Sequence, residues 1–179
     1  NTVLAEKSEE APKKHAERLM YLIEDALKSS KHDLSHVSSI GVGIGPGNFT
    51  GVRVSVATAR GLSLALNVPA FGVTTFEALQ LGHKGNILCS VRAKKDQIYL
   101  SEYQNGIFEQ SIISNIDNLP KTKCNFVIGD KSNLISESLH IKPLEPIHST
   151  ASSIAKIAQE LPMEKSPPTP IYPIHNEFI

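Results

Sequence analysis

The stretch Gly43-Ile44-Gly45-Pro46-Gly47-Asn48-Phe49-Thr50-Gly51-Val52-Arg53 decides the fold, because its glycines force a tight turn between two regular elements. Residues 39–44, which lead into it, form the short apolar run that is typical of a buried strand. Residues 50–66, at its end, are mostly good helix formers. The sequence therefore predicts a strand, a glycine turn and a helix, with backbone N–H groups at the helix N-terminus that can bind an anion.

The glycine turn matches none of three common phosphate-binding or catalytic loops. A P-loop needs a lysine, and none lies between Lys31 and Lys84. The glycines lack the Gly-x-Gly-x-x-Gly spacing of dinucleotide-binding folds, and no serine offers a Gly-x-Ser-x-Gly elbow. Two interpretations stay open on the residues alone: an anion contact at residues 45–51, or glycines that only let the helix approach the sheet.

Strands and helices alternate along the rest of the chain. Pro12 suits the first turn of a helix, and Asn105-Gly106 is a strong hairpin signal. The patterns predict strands at residues 2–7, 70–74, 86–92, 97–103, 107–113, 125–128 and 141–144. They predict helices at residues 12–29, 76–81 and 149–161, and a short one after Asp130. The proline-rich residues 166–170 are predicted to be extended.

The composition is that of a globular protein of modest size. Of the 179 residues, 40% are hydrophobic and 20% are charged, and no uncharged apolar run is long enough to span a membrane. Eighteen basic and eighteen acidic residues cancel, whereas a protein that grips a nucleic acid alone is expected to carry a basic face. Cys89 and Cys124 lie in apolar strand-like runs, and we interpret them as reduced core residues.

Candidate catalytic and metal-binding groups are sparse. His32 and His36 have the i, i+4 spacing of some metal sites, with Asp33 as the only obvious third ligand. They fall in a polar connector without helical periodicity, so we interpret the pair as part of a solvated loop. No Ser/His/Asp or Cys/His set can be assembled, and the sequence predicts no catalytic residue, no metal and no cofactor.

Two helices have apolar surfaces that are wide for packing against one sheet. The helix that begins at Pro12 carries Leu19, Met20 and Ile23 on its apolar arc. On the helix 50–66 the notable residues are a stripe of small side chains and two arginines beside it: Val54, Thr58, Gly61, Ala65, Arg53 and Arg60. The two helices could simply pack on each other and on the sheet, or they could form an interface with another subunit.

Residues 43–53 and the residues 56–79 that follow closely resemble the signature of the TsaB family, also called YeaZ. Residues 13–27 look like that family's first helix, so the specific match covers residues 4–79, while residues 84–161 match only in the order of their elements. The resemblance implies an α/β protein with a two-lobe, actin-like (RNase H-like, ASKHA superfamily) fold. Residues 1–83 and the helix 149–165 would form the first lobe, residues 84–148 the second, and residues 166–179 an extended tail.

The resemblance also implies a function. The chain would be a non-catalytic scaffold partner of the TsaD threonylcarbamoyl transferase, in the formation of threonylcarbamoyladenosine at position 37 of tRNAs. The implied partner is a TsaD-like catalytic subunit in the cytoplasm, with tRNA reached only through the complex and no membrane contact. A TsaE-like ATPase and a homodimer of the isolated chain are the other partners considered.

The resemblance implies particular site residues as well. The signature turn would make at most a weak anion or nucleotide contact, through Gly45, Pro46, Gly47, Asn48, Phe49, Thr50 and Gly51. The subunit interface would use the helix residues Leu19, Met20, Ile23, Arg53, Val54, Thr58, Arg60, Gly61 and Ala65.

The chain departs from the family pattern at both ends. The family begins with a strand that carries Asp-Thr-Ser and a second strand, so residues 1–7 are expected to be the third strand, and the natural protein is expected to exceed 19.5 kDa. A Tyr-Leu-Arg ending is usual, whereas here Tyr172 is followed by Pro173. The alternative function is an ATP-dependent small-molecule kinase of the same superfamily, for which Asp130 is the only candidate catalytic acid by position.

Overall fold

The computed structural model describes residues 2–9, 15–162, 167–174 and 177–178. Its helices are α1 (His15–Ser29), α2 (Phe49–Leu66), α3 (Thr75–Gln80), α4 (Ser132–Leu139) and α5 (Thr150–Glu160), with a 3-10 turn at Leu34–His36. Its strands are β1 (Ile40–Gly43), β2 (Ala70–Val73), β3 (Asn86–Arg92), β4 (Gln97–Gln104), β5 (Ile107–Asn115), β6 (Phe126–Gly129), β7 (Lys142–Leu144), β8 (Pro173–Ile174) and β9 (Glu177–Phe178). None of the described helices is long and apolar enough to cross a membrane.

A parallel pair of strands, β1 and β2, is covered by helices on both faces. On one face Val42 and Ile44 pack against Val56 and Ala59 of α2. On the other face α5 comes so close that a Cβ added to Gly41 would lie 2.9 Å from the Cβ of Ala158. Glycine is therefore required in this strand, because a larger residue would push α5 away from the sheet.

The prediction of a strand at residues 2–7 is wrong. Residues 2–9 have no regular secondary structure, and they form no backbone ladder with any described strand. A strand is stable only when its N–H and C=O groups pair with a neighbour, and the residue pattern alone cannot supply that neighbour. The segment instead lines a cavity of about 600 Å³ together with α1 and α5. It is attached there by Ser152, whose hydroxyl donates to the Glu6 carboxylate at 2.9 Å.

The second sheet has five strands in the order β5-β4-β3-β6-β7. The predicted antiparallel meander of β3, β4 and β5 is confirmed, and its second turn has positive φ at both Asn105 (51°) and Gly106 (86°), as a tight hairpin requires. Strands β3, β6 and β7 run parallel. One core cluster forms around Phe76 of α3, and another forms around Ile135 of α4.

The two cysteines are confirmed as reduced core residues. Cys89 and Cys124 are both buried and free, and they lie in the two different core clusters. Burial raises the pKa of each thiol, which keeps it protonated.

The other predicted elements are confirmed with small shifts at their ends. Helix α2 begins one residue early, at Phe49, because the Asn48 side chain accepts the N–H of Gly51 at 2.9 Å and caps the helix. It ends where Asn67 adopts a left-handed conformation. The start of the predicted helix 12–29 and the end of the region 149–165 lie partly outside the described residues. Residues 167–170 are not helical, as predicted, and β8 and β9 form an antiparallel pair further along the tail.

Candidate functional site

The glycine turn is tied to the N-terminus of α3. Gly45 has a φ of +97°, in the region that favours glycine, and the Gly45–Pro46 peptide is cis. The backbone N–H of Thr75 donates to the carbonyl of Gly45 at 2.9 Å. The hydroxyl of Thr75 donates to the carbonyl of Pro46 at 2.7 Å. These bonds fix the turn to the element that follows β2.

The tail crosses the other side of the same turn. The N–H of Ile171 donates to the carbonyl of Ile44 at 2.7 Å. A Cβ on Gly45 would lie 2.8 Å from the carbonyl oxygen of Ile171, so the tail can approach only because residue 45 is glycine. The described contacts of the turn are thus structural ones, and an anion contact at residues 45–51 stays a prediction.

An arginine and two aromatic rings meet where α2 begins. The guanidinium carbon of Arg53 lies 3.8 Å from the ring centroid of Phe49 and 5.8 Å from that of Tyr172. The two rings are 5.2 Å apart, and the Tyr172 hydroxyl donates to the carbonyl of Phe49 at 3.3 Å. An exposed cation–π contact contributes about 0.5–1 kcal/mol, so Arg53 is held at the surface beside the turn.

Helix α2 presents a largely apolar face to solvent. We call this the outer face, and its exposed residues are Arg53, Ala57, Arg60, Gly61, Leu64 and Ala65. Leu64 is 85% exposed, the highest value among the large hydrophobic side chains described as exposed. Around Gly61 an added Cβ would meet no atom of the described chain within 4 Å. Val54 and Thr58, on the flank of this face, are half-buried.

Helix α1 lies beside α2 and contributes a smaller exposed area. Met20 is 40% exposed and Tyr21 is 59% exposed. Leu19 and Ile23, predicted at the interface, are half-buried and line the 600 Å³ cavity beside residues 2–7. Leu19 also borders a cavity of about 300 Å³ between the two helices, next to Val54. The structure thus brings the predicted interface residues of both helices into one region but leaves only some of them exposed.

The histidine pair forms no metal site in the described part of the chain. The rings of His32 and His36 meet edge to face with centroids 5.2 Å apart, and both residues are exposed. The Asp33 carboxylate lies 2.9 Å from Nδ1 of His36 and also accepts from Ser35. These hydrogen bonds, chiefly those from Ser35, lower the pKa of Asp33. Within the described ranges no three His, Cys, Asp or Glu side chains could hold a metal ion.

Asp130, the acid considered for a kinase, makes a structural hydrogen bond. Its Oδ2 accepts the backbone N–H of Arg92 at 2.7 Å and so joins the ends of β6 and β3. The sequence interpretation missed Tyr172, which completes the cluster at Arg53. No local signal could have revealed it, because 123 residues separate Tyr172 from Phe49.

Comparisons with known proteins agree with this architecture. The family model described as TsaD, tRNA N6-adenosine threonylcarbamoyltransferase, matches residues 5–123. A crystal structure from Pseudomonas aeruginosa, described as an uncharacterized protein with similarity to peptidase YEAZ, superposes with a TM-score of 0.70 at 23% identity. That alignment covers 92% of this chain and 86% of the other, and it supports the actin-like, RNase H-like fold.

Curated relatives carry the name tRNA threonylcarbamoyladenosine biosynthesis protein TsaB. The Escherichia coli protein is 32% identical over 105 residues, which is 54% of this chain and 46% of that protein. The Bacillus subtilis protein is 28% identical over 179 aligned positions, which cover 90% of this chain and 74% of that protein. The chain spans about half the length of the Escherichia coli relative, and 48% of a relative from Buchnera aphidicola of Schizaphis graminum.

The family model covers well over half of the 179 residues, and the relatives agree with one another in name. The chain therefore belongs to the family that this model describes, and within it to the TsaB (YeaZ) group.

Proposed function

We propose that this chain is a non-catalytic scaffold subunit that pairs with a TsaD-like catalytic subunit in the threonylcarbamoylation of tRNA. The names of its relatives and the match to the TsaD family model support this pathway. We further propose the division into a first lobe (residues 1–83 with 149–165), a second lobe (84–148) and a tail (166–179). The protein would act in the cytoplasm, where its two free buried thiols stay reduced.

The observation that carries the proposal is Gly61 on the outer face of α2. Glycine inside a helix costs about 0.8–1 kcal/mol relative to alanine. A close neighbour can make glycine necessary, as Ala158 does for Gly41, but an added Cβ at residue 61 meets nothing within 4 Å in the described chain. Because no described residue requires glycine at this position, we infer that a partner surface approaches the helix closely there.

The rest of the outer face has the composition of a subunit interface. Leu64 leaves 85% of its surface in water, and this exposure does not stabilise the isolated chain. Arg53 and Arg60 border the apolar residues, and arginine is enriched at interfaces whereas lysine is depleted. A partner of related fold, with a helix of its own, could pack against Gly61 and Ala65 at close range.

The use of polar groups supports a non-catalytic role. Thr75 fastens the glycine turn, Asn48 caps α2 and Asp130 joins two strands. Asn48 of the signature turn and Asp130, the candidate acid of a kinase, are thus both engaged in holding the fold. With a formal charge of zero, the chain would reach tRNA through its catalytic partner rather than alone.

The proposal is tested by Gly61→Arg. The open surroundings of residue 61 let the variant fold, and arginine is a better helix former than glycine. At a close helix–helix contact the long charged side chain would separate the two surfaces and abolish pairing. The chain is mixed with a TsaD-like subunit, and complex formation is measured by size-exclusion chromatography with light scattering.

A matched control is Ser138→Arg, which adds the same side chain at an exposed position of α4. Circular dichroism first establishes that both variants are folded. We expect Ser138→Arg to pair normally. A folded Gly61→Arg protein that still pairs with the catalytic subunit would move the interface off the outer face. A wild-type chain that binds only a second copy of itself, or only a TsaE-like ATPase, would contradict the proposed partner.

A further inference from the structure

A cavity of about 520 Å³ lies between elements of both sheets, and no residue of α2 is among its described lining residues. We call it the cleft pocket. Its walls come from α3 and its cap, the β4–β5 hairpin, helix α5 and the tail. Pockets of 300–1,000 Å³ that combine apolar walls with a few convergent polar groups are typical of small-molecule sites.

Most of the pocket wall is apolar and partly aromatic. Phe76 is fully buried at its base. The rings of Tyr103 and Phe108 meet edge to face, with centroids 6.0 Å apart, on the hairpin side. Ile157 of α5 and Ile171 of the tail also line the pocket. A flat ring fits such a wall better than a polar chain, because aromatic pairs favour edge-to-face and offset contacts.

One charged group faces this apolar wall. Of the described residues that line the pocket, Glu77 is the only one with a charged side chain. Its Oε2 accepts the backbone N–H of Thr74 at 2.7 Å and the Thr74 hydroxyl at 2.8 Å. Among the described residues no donor reaches its second oxygen, Oε1. The half-buried carboxylate can therefore accept one more charge-assisted hydrogen bond.

Tyr103 adds a neutral polar group next to the carboxylate. Tyr103 is only 5% exposed. Burial raises the pKa of its hydroxyl, so the O–H stays protonated at physiological pH. The pocket thus offers one negative charge beside the neutral polar groups of Thr74, Gln80 and Tyr103. Among its described lining residues no lysine or arginine could balance an anion.

We propose that the cleft pocket binds a small molecule in which a protonated amine is joined to an aromatic ring, with the amine on Glu77 and the ring between Phe108 and Ile157. Phosphates and carboxylates are rejected, because the Glu77 charge repels them and no cation in the described wall offsets that repulsion. This inference does not depend on the proposed interface on α2, because no residue of α2 is among the described residues that line the pocket.

The test uses 2-phenylethylamine as the cationic probe and 3-phenylpropionate as an anion of similar size. Isoleucine methyl groups are labelled with ¹³C, and each probe is titrated into the whole chain by NMR. We expect 2-phenylethylamine to shift the methyl signals of Ile157 and Ile171 in a saturable way. The anion should bind at least about tenfold more weakly, the ratio that about 1.4 kcal/mol produces.

Two variants localise the effect. Glu77→Gln removes the charge but keeps the cap of α3, because glutamine also completes a capping box. Glu137→Gln removes a charge from an exposed position of α4 as the matched control. We expect Glu77→Gln to weaken binding of the amine about tenfold and Glu137→Gln to leave it unchanged. The proposal is overturned if the amine fails to saturate, if the anion binds equally well, or if Glu77→Gln has no effect in a folded protein.

Discussion

The single substitution Gly61→Ala should move stability and partner binding in opposite directions. Gly61 lies inside α2, with a backbone conformation that any residue adopts, and an added Cβ meets no described atom within 4 Å. Alanine is more favourable than glycine in a helix interior by about 0.8–1 kcal/mol, chiefly because it restricts the unfolded chain. The isolated variant should therefore be more stable than the natural sequence by about this amount.

Binding should respond with the opposite sign. If a partner helix packs closely on Gly61, one extra methyl group must displace it, and overpacking at a fitted contact costs about 1–3 kcal/mol. That cost weakens the complex by roughly fivefold to 150-fold. A gain in stability with a loss of affinity is the pattern expected of a residue kept for function at the expense of the fold.

The two quantities are measured separately. Urea unfolding followed by circular dichroism gives the stability, and the melting temperature should rise by about 2–4 °C for each 1 kcal/mol in a chain of this size. Repeating the melt at several protein concentrations separates the monomer from a homodimer. Calorimetric titration with a TsaD-like subunit gives the affinity. A destabilised Gly61→Ala protein would mean that the chain itself covers this face, and an unchanged affinity would mean that no partner does.

Three further outcomes test the fold around the site. Gly41→Ala should destabilise the protein by about 1–3 kcal/mol, because the Cβ of the new alanine would lie 2.9 Å from the Cβ of Ala158. If the variant unfolds in urea at the same concentration as the natural sequence, α5 does not pack on β1 as described. Hydrogen bonds from Ser149 and Ser152 lower the pKa of Glu6 in the folded protein. Docking of residues 2–9 should therefore be complete above the ordinary carboxyl pKa and should be lost as the pH falls through the lowered pKa of Glu6. This would be contradicted if the NMR signals of the segment stay unchanged into acid, or if the Glu6→Gln variant gives the same signals as the natural sequence at neutral pH. Cys89 and Cys124 should resist iodoacetamide until the protein is unfolded in urea, because burial raises both thiol pKa values; rapid labelling of the native protein, seen by mass spectrometry, would show that these thiols are accessible.

Sequence patterns predicted a helix or strand correctly where the residues that stabilise it lie close together in the sequence. The meander is predicted correctly because Asn105-Gly106 defines its second turn and the flanking residues alternate. Helix α2 is predicted to within one residue because the glycine turn before it and its own composition are both readable. The strand at residues 2–7 is wrong because a strand depends on a neighbour that the segment itself does not contain.

The candidate sites show the same limit. The exposed face of α2 follows from helical periodicity, so Gly61, Ala65 and the two arginines could be predicted as a group. The contact between Tyr172 and Phe49 could not, since it joins residues 123 apart through the course of the tail. The cleft pocket could not be predicted either, because its walls come from four separate regions of the chain.

The glycines in and near the signature stretch differ in how far the described residues explain them. Gly45 is explained within the chain, by its φ of +97° and by the carbonyl of Ile171, which leaves no room for a Cβ. Gly41 is explained in the same way by α5. Gly61 has an ordinary helical conformation and open space around it, so neither backbone nor packing accounts for it. Since glycine weakens the helix there by up to about 1 kcal/mol and no described residue requires it, we propose that a partner contact accounts for it. The conspicuous turn therefore builds the fold, and the less conspicuous glycine on α2 marks the surface through which we propose that the protein works.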